Sequence, residues 1–463
     1  MPDSTPSSVS RVDLVVLGGG SGGYAAALRL AELGGSVVLV EQDRLGGTCL
    51  HRGCIPTKAL LHAAEIADTA RTADSHGIRA SFDGVDTAKL HRHRHEVVDR
   101  LWKGLSGLVG GRGIEVVHGR GHLIGPHTVQ VGERRIDAAH VLLATGSAPR
   151  VPEGIAADGV HVLTSDDALR MERIPASAIV LGAGAIGMEF ASAWRSLGAE
   201  VTVVEAADRL LPAEEPRHSR LIERAYRRRG IGFRVAARVT DVKVADHGVT
   251  VTLGDGATLD AEVLLVAVGR APVSDGLGYA EAGVDLDRGH VVVDALCRTN
   301  VPSISAVGDL IATPQLAHVG FAEGILVAER LAGLTPAPVD YDNVPRVTYS
   351  SPEVASVGLT STRAEQLGHD VVTQTYDLAG NGKALILGAS GAVTVVAGRG
   401  GRVLGVHMIG DRVGELIAEA QLIVNWEARA DEVAALIHPH PTLSEAIGEA
   451  HLALAGKPLH AHA

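Results

Sequence analysis

Residues 12 to 17, VDLVVL, form a short β-branched apolar run that predicts a strand. Gly18-Gly19-Gly20-Ser21-Gly22-Gly23 follows, then the helical pattern YAAALRLAELG, then a second strand, SVVLVE, ending in Glu41. The same order of strand, glycine turn, helix and strand returns in AIVLGAGAIGMEFASAWRSLGAEVTVVE, which ends in Glu205. Between the two copies lie a helical segment rich in charge and histidine, about 84 to 109, and a run of strands ending in VLLATGSAPRVP. Apolar strands recur at VLLV, before Ala267-Val268-Gly269-Arg270, and at VPSISAVGD, residues 301 to 309. From about 340 the pattern changes. The strands VPRVTYSSPEVASVGLT, DVVTQTYDL, GAVTVVAG and VLGVHMIG interleave with helices at about 360 to 367 and 411 to 427, which predicts an α+β domain with an antiparallel sheet. The expected fold class is α/β, with two Rossmann-like domains over 1–150 and 151–272, a return to the first over 273–340, and a C-terminal α+β domain over 341–463.

The repeated unit carries chemistry in its turn. A G-x-G-x-x-G stands at Gly18, Gly20 and Gly23, and another at Gly182, Gly184 and Gly187. Such glycines let the backbone approach a pyrophosphate at a helix N-terminus, where free N–H groups and the helix dipole favour an anion. Glu41, 18 residues past the last glycine of the first motif, is placed to accept hydrogen bonds from an adenosine ribose. Each glycine and the glutamate of the second copy lie 164 residues after their counterparts, which points to two dinucleotide sites in one chain. Glu205 favours a free ribose 2′-hydroxyl and repels a 2′-phosphate, so NAD(H) is expected over NADP(H), with Arg209 read as a surface arginine.

Composition narrows the setting. A length of 463 residues suggests about three domains. Apolar content of 46% and a mean hydropathy of +0.18 allow a sizeable core. No stretch approaches ~18 uninterrupted apolar residues, so no membrane span is expected. A net charge of −12 without basic runs argues against nucleic acid. The opening MPDSTPSSVSRVD has neither a signal-peptide run nor a transit pattern, and reads as a short disordered tail on a cytoplasmic protein. Three cysteines fit a reducing compartment, where a disulfide would be catalytic or sensing. His91, His93 and His95 alternate with arginines and read as a solvated helix face, and no metal site is expected.

Two of the three cysteines, Cys49 and Cys54, stand in GGTCLHRGCIPTK, which runs from Gly46 to Lys58. Taken alone they are open to several readings: two unpaired small hydrophobes, a redox pair, or, least of all, part of a metal site. On a regular helix positions i and i+5 lie about 8.7 Å apart, beyond the roughly 7 Å reach of a disulfide, so pairing would need a local break that Gly53 allows.

Taken whole, GGTCLHRGCIPTK resembles the redox-active disulfide segment of the flavoprotein pyridine nucleotide-disulfide oxidoreductases, and the resemblance runs in motif order from Val12 to about Lys457. Glu205 and HPTLSEA, residues 440 to 446, are most similar to the dihydrolipoamide dehydrogenases, the E3 components of 2-oxoacid dehydrogenase complexes. The first unit leads into the cysteine segment, so its ligand exchanges electrons with sulfur and is expected to be FAD; the second is then for NAD. The resemblance implies a Cys49–Cys54 disulfide, with Cys49 attacking substrate and Cys54 beside the flavin. Lys58 would lie near flavin N5, paired with Glu189. His440, oriented by Glu445, would serve as base across a homodimer interface formed by the C-terminal domain. Electrons would pass from dihydrolipoamide to the disulfide, to FAD and to NAD.

The FAD site implied comprises Gly18, Gly20, Gly23, Glu41, Gly47, Thr48, Lys58, Gly121, Thr145, Gly146, Ser147, Asp309, Leu316, Ala317 and His318. The NAD site comprises Gly182, Gly184, Ile186, Gly187, Glu189, Glu205, Val239 and Gly269. Scarce aromatics, 3%, suggest a flavin held by backbone and aliphatic contacts. Asp309 has a simpler reading as a helix cap, and Cys297 reads as structural. The partners implied are a second copy, lipoyl domains and the core of a 2-oxoacid dehydrogenase complex. One departure is His51-Arg52, where many dihydrolipoamide dehydrogenases have Asn-Val. It keeps alive an NADH-dependent reductase of another disulfide, such as mycothiol disulfide, and a diaphorase-type complex subunit is the rival from another class. Mercuric reductase lacks support because no cysteine pair stands near the C-terminus, and glutathione reductase would carry basic residues where Glu205 stands.

Overall fold

The β-branched run Val12–Leu17 lies between Val37–Glu41 and the C-terminal half of Arg134–Leu143, with all three strands parallel. Ile304–Ala306 pairs in parallel beyond Arg134–Leu143, and Glu115–His118 beyond Val37–Glu41. Leu14, Val15, Leu39, Val141 and Leu142 are fully buried. A parallel sheet covered on both faces has no solvent side to alternate with, which is why these strands read as unbroken apolar runs. The N-terminal half of Arg134–Leu143 instead pairs antiparallel with Thr128–Val131, which pairs with Gly121–Gly125.

The computed structural model describes residues 11–460, and residues 1–10 of the expected tail lie outside them. The described residues divide into two units, one made of residues 11–56, 92–149 and 270–341, the other of 57–91, 150–269 and 342–460.

Within the first unit, helices Ser21–Glu32 and Ala317–Leu331 pack backbone to backbone. A Cβ on Gly324 would fall 2.3 Å from the Gly22 carbonyl oxygen, so only glycine allows this approach. A short ribbon, Ser147–Pro149 against Arg270–Pro272, closes the unit where the chain leaves it and returns.

The second unit holds a five-stranded parallel sheet with Ser177–Leu181 between Glu200–Val204 and Val263–Val266, backed by helix Ala185–Leu197. It also holds an antiparallel five-stranded sheet in the order Arg346–Thr348, Glu353–Gly358, Val403–Gly410, Ala392–Gly398, Val371–Asp377. Helices Val413–Asn425 and Glu445–Leu454 pack on this sheet through Ile417, Ala420, Ala446 and Ile447. A polar row crosses it: Arg346, Ser356, His407, Thr394 and Thr375 are successive cross-strand partners. His218, from helix Pro216–Arg228, meets that row at Thr394, with Nε2 3.1 Å from its hydroxyl.

The expected helices at 84–109, 360–367 and 411–427 are Thr87–Gly111, Ser361–Gln366 and Val413–Asn425. His93 and His95 are exposed, but Arg94 between them is buried at 4%, so the helix is not a uniformly solvated face there.

Candidate redox site

The two glycine turns have the same geometry, and it separates the glycines by task. At Gly18, φ is +102°, and a Cβ would sit 2.3 Å from the Ala144 carbonyl oxygen; at Gly23 it would sit 1.9 Å from that of Gly18. These two serve the protein's own packing. A Cβ on Gly20 would meet nothing nearer than 3.9 Å, and one on Gly184 nothing within 4 Å. Their missing side chains leave room for a ligand at the N-termini of helices Ser21–Glu32 and Ala185–Leu197, which suits the pyrophosphates of FAD and NAD. Ile186 follows Gly184 in the second of these helices, half-buried. Glu41 accepts hydrogen bonds from the N–H groups of Gly19 and Asp43, 2.8 Å each, and Glu205 from those of Ala183 and Ala207, 2.7 Å each. One oxygen per N–H leaves each carboxylate lone pairs for a ribose. Arg209, read as a surface arginine, has a side chain 33% exposed, its guanidinium donating to the Pro212 carbonyl oxygen, 2.7 Å, and pairing with Asp208.

The cysteine segment breaks where glycine permits it. Cys49 lies in the short helix Gly47–Arg52, Gly53 leaves helical geometry at φ −147°, ψ −113°, and Cys54 opens helix Cys54–Thr72. A Cβ on Gly53 would press to 3.0 Å from the Thr48 carbonyl oxygen. Gly46 donates its N–H to the Gly19 carbonyl, 2.8 Å, and a Cβ on Gly47 would fall 2.7 Å from Gly20 Cα. The cysteines are thereby docked on the first glycine turn, with Thr48 beside them. Tyr24, three residues beyond Ser21, has its phenol pushed up to about 12 by burial, with the two cysteines adding to it. It packs on Phe321 at 5.6 Å. Nothing but its place just after the glycines marked Tyr24 in the sequence. His51 and Arg52 are turned toward the preceding loop, His51 Nε2 lying 2.8 Å from the Leu45 carbonyl oxygen and Arg52 3.8 Å from Asp43.

Lys58 follows Cys54 by one helical turn, on the same face. Its ammonium donates to both oxygens of Glu189, 2.8 and 3.0 Å, and lies 4.6 Å from the centre of the Tyr349 ring. Glu189 is 4% exposed and also accepts the Tyr349 N–H, 3.0 Å. A buried carboxylate of this kind is tolerable only with such partners. The resemblance implied the pairing of Lys58 with Glu189; nothing in the sequence pointed to Tyr349.

The turn after Arg134–Leu143 is tied to Asp309. Ser147 donates its hydroxyl to the Asp309 carboxylate, 2.5 Å, and accepts from Arg270 Nε, 2.7 Å. Asp309 therefore uses its carboxylate across the fold, and its short 3-10 turn has no side-chain cap, so the capping reading fails. Thr145 donates to the Val273 carbonyl, 2.6 Å, while Gly146, at φ +70°, has no atom near a would-be Cβ. Leu316, Ala317 and the exposed His318 form the start of helix Ala317–Leu331. Gly121 packs against Leu17 and Val40 at the end of the parallel strands. In the second unit, Gly269, at φ +110°, lies in the turn after strand Val263–Val266 with open space at its Cβ, and Val239 joins the apolar cluster of Val204, Val249 and Val251. Cys297 is buried, and burial pushes its thiol up to about 12, which suits an inert structural residue.

His440 Nδ1 lies 2.8 Å from Glu445 Oε1, and Glu445 Oε2 accepts the Thr442 N–H, 2.7 Å. Burial alone would raise the Glu445 carboxyl, but the Thr442 N–H and His440 outweigh it and hold the group below its ordinary range. The His440 side chain is 77% exposed. His438 of the same loop makes a second pair, 2.8 Å from Glu419 of helix Val413–Asn425, and is largely buried.

The family model described as pyridine nucleotide-disulphide oxidoreductase matches residues 12–324, and that of its dimerisation domain residues 344–451. The chain belongs to the pyridine nucleotide-disulphide oxidoreductases, FAD-dependent enzymes that work with NAD, and the second match supports a homodimer. Within that class it is 44% identical to a dihydrolipoyl dehydrogenase of Bacillus subtilis, over 97% of this chain and 99% of the relative. It is 39% identical to dihydrolipoyl dehydrogenase 2 of Haloarcula marismortui, over 97% and 98%. The crystal structure of LpdA from Mycobacterium tuberculosis matches with a TM-score of 0.89 at 28% identity, covering 96% of this chain and 99% of that one. Among the described residues no helix is long and apolar enough to cross a membrane.

Proposed function

We propose that this protein is a dihydrolipoyl dehydrogenase, oxidising protein-bound dihydrolipoamide to lipoamide through a Cys49–Cys54 disulfide. The observation that carries the reading is the break at Gly53, the departure from helix that pairing of Cys49 with Cys54 needs, in a segment docked on the first glycine turn. The glycine turns at Gly18–Gly23 and Gly182–Gly187 would hold FAD and NAD, which would supply a two-electron acceptor for the cysteine pair and a hydride acceptor beyond it.

The chain's own residues do the rest. Glu445, bonded to His440 Nδ1, fixes the tautomer and leaves Nε2 to take a proton from a substrate thiol. The thiolate so formed attacks Cys49, breaking the disulfide and leaving Cys54 as thiolate. The second substrate thiol then closes the lipoamide ring and releases Cys49, so two electrons and two protons have left the substrate. Lys58, held by Glu189, supplies a fixed positive charge one turn from Cys54. The exposure of His440 supports its use by the other copy of a homodimer. Glu205 supports NAD over NADP, and the low cysteine count supports a cytoplasmic setting. The similarity to dihydrolipoyl dehydrogenases supports lipoyl domains of a 2-oxoacid dehydrogenase complex as partners.

The test is an anaerobic titration. Dihydrolipoamide should perturb the visible flavin spectrum, and NAD should restore it as NADH forms. If dihydrolipoamide leaves the flavin oxidised while NADH reduces it, the substrate is another disulfide, and the His51-Arg52 pair between the cysteines becomes the place to look.

A further inference from the structure

Glu323 is the one carboxylate of helix Ala317–Leu331 that is completely buried. Its Oε2 accepts the Gly308 N–H at 2.6 Å, and its Oε1 accepts the hydroxyls of Thr313, 2.8 Å, and Tyr341, 3.0 Å. Gly308 and Thr313 bracket the segment that carries Asp309 and leads into Leu316, Ala317 and His318. The helix bearing Glu323 is itself fixed against Gly22 of the first glycine-turn helix through Gly320 and Gly324. Burial, with Asp309 adding to it, raises the Glu323 carboxyl, and the three donors oppose that rise. A buried acceptor with three donors, two from the ends of one loop and one from the turn beginning at Tyr341, is a heavy commitment for a residue outside the reacting groups.

We propose that Glu323 is a positioning residue for the flavin site, stapling both ends of the Asp309 segment to the helix that packs on the FAD glycine turn. The inference rests on the reading of that turn and of Asp309 as FAD-binding. Without the staple, Gly308 loses the acceptor that fixes its N–H, and Asp309 loses its aim.

The experiment reconstitutes full-length apoprotein with FAD and follows flavin fluorescence and the visible spectrum. Glutamine can accept from Gly308 while the hydroxyls of Thr313 and Tyr341 turn to accept from its amide, so Glu323→Gln should hold FAD within about threefold of wild type. Glu323→Ala should weaken FAD binding at least about tenfold and blur the resolved flavin absorption. Should Glu323→Ala fail to fold, Thr313→Val and Tyr341→Phe, each removing one donor, should each weaken binding by severalfold with the same spectral change. Wild-type affinity and spectrum in Glu323→Ala, or in both single-donor variants, would overturn the proposal. Asp309→Ala runs beside them. Its binding FAD normally while Glu323→Ala does not supports the staple and refutes the placement of Asp309; the reverse refutes the staple alone.

Discussion

His218 and His407 give a prediction about acid that can be worked from the structure. Both are fully buried between helix Pro216–Arg228 and the antiparallel sheet. Burial pushes His218 down to about 3, with His407 and Arg217 adding to it, and burial also lowers His407. The groups facing them are Thr394, Ser356 and Arg346 on the sheet, with Glu214 and Glu215 just ahead of the helix. Released into solvent, His218 titrates near 6.5, so between pH 6.5 and about 3 the open state binds more protons than the closed one. Closure is therefore most favourable above pH 6.5 and weakens as pH falls through that window. From pH 7 to pH 5 the loss from His218 alone is about 2 kcal/mol, roughly thirtyfold in the opening equilibrium, and His407 adds in the same direction. Amide hydrogen exchange of peptides covering 216–228, corrected for intrinsic rate, measures it. In His218→Gln, where nothing titrates at that position, most of the change should vanish. If wild type and variant lose protection in parallel from pH 7 to pH 5, the argument from burial is wrong.

Other outcomes follow from the redox and cofactor sites. Cys54→Ser should abolish lipoamide reduction while FAD stays bound, as read from the visible spectrum and a lipoamide assay. His440→Gln should collapse the thiol reaction and spare NADH-dependent dye reduction, and equal losses in both assays would refute its role as base. Lys58→Met strands the buried Glu189 carboxylate; with Lys58 partly exposed the cost sits near the low end for such pairs, about 3 kcal/mol, and adding Glu189→Gln should recover much of it in a urea titration. The wild-type protein should prefer NADH over NADPH in kcat/KM, and Glu205→Ser should narrow that preference; equal turnover of both cofactors by wild type would contradict the reading of Glu205.

Much of this was readable because it repeats or alternates. The two glycine motifs, 164 residues apart, announce two identical turns; three of the four expected C-terminal strands appear in place, while the fourth, VPRVTYSSPEVASVGLT, turns at 349–352 into two antiparallel strands, Arg346–Thr348 and Glu353–Gly358. Glu189 could be paired with Lys58 only through the resemblance, since 131 residues separate them. What stayed hidden depends on contacts distant in sequence without a motif. Tyr349 reaches Lys58 through a loop with no periodicity, and Glu323 resembles any helix glutamate until its three donors are seen. The polar row at Arg346, Ser356, His407, Thr394 and Thr375 was hidden because its members come from five strands.

The hydrogen bonds of Glu205 bear on how freely cofactor choice can drift. The carboxylate that is proposed to select against a 2′-phosphate is also the clasp that joins Ala183 in the glycine turn to Ala207 beyond the strand. A lineage moving toward NADP would have to give up the selector and the clasp in one substitution, and would need a replacement for the second before gaining anything from the loss of the first. Glu41 holds its own turn in the same way. Cofactor preference in such a unit is inherited along with the shape of the turn, and that coupling raises a barrier to switching that no comparison of ligand contacts alone would reveal.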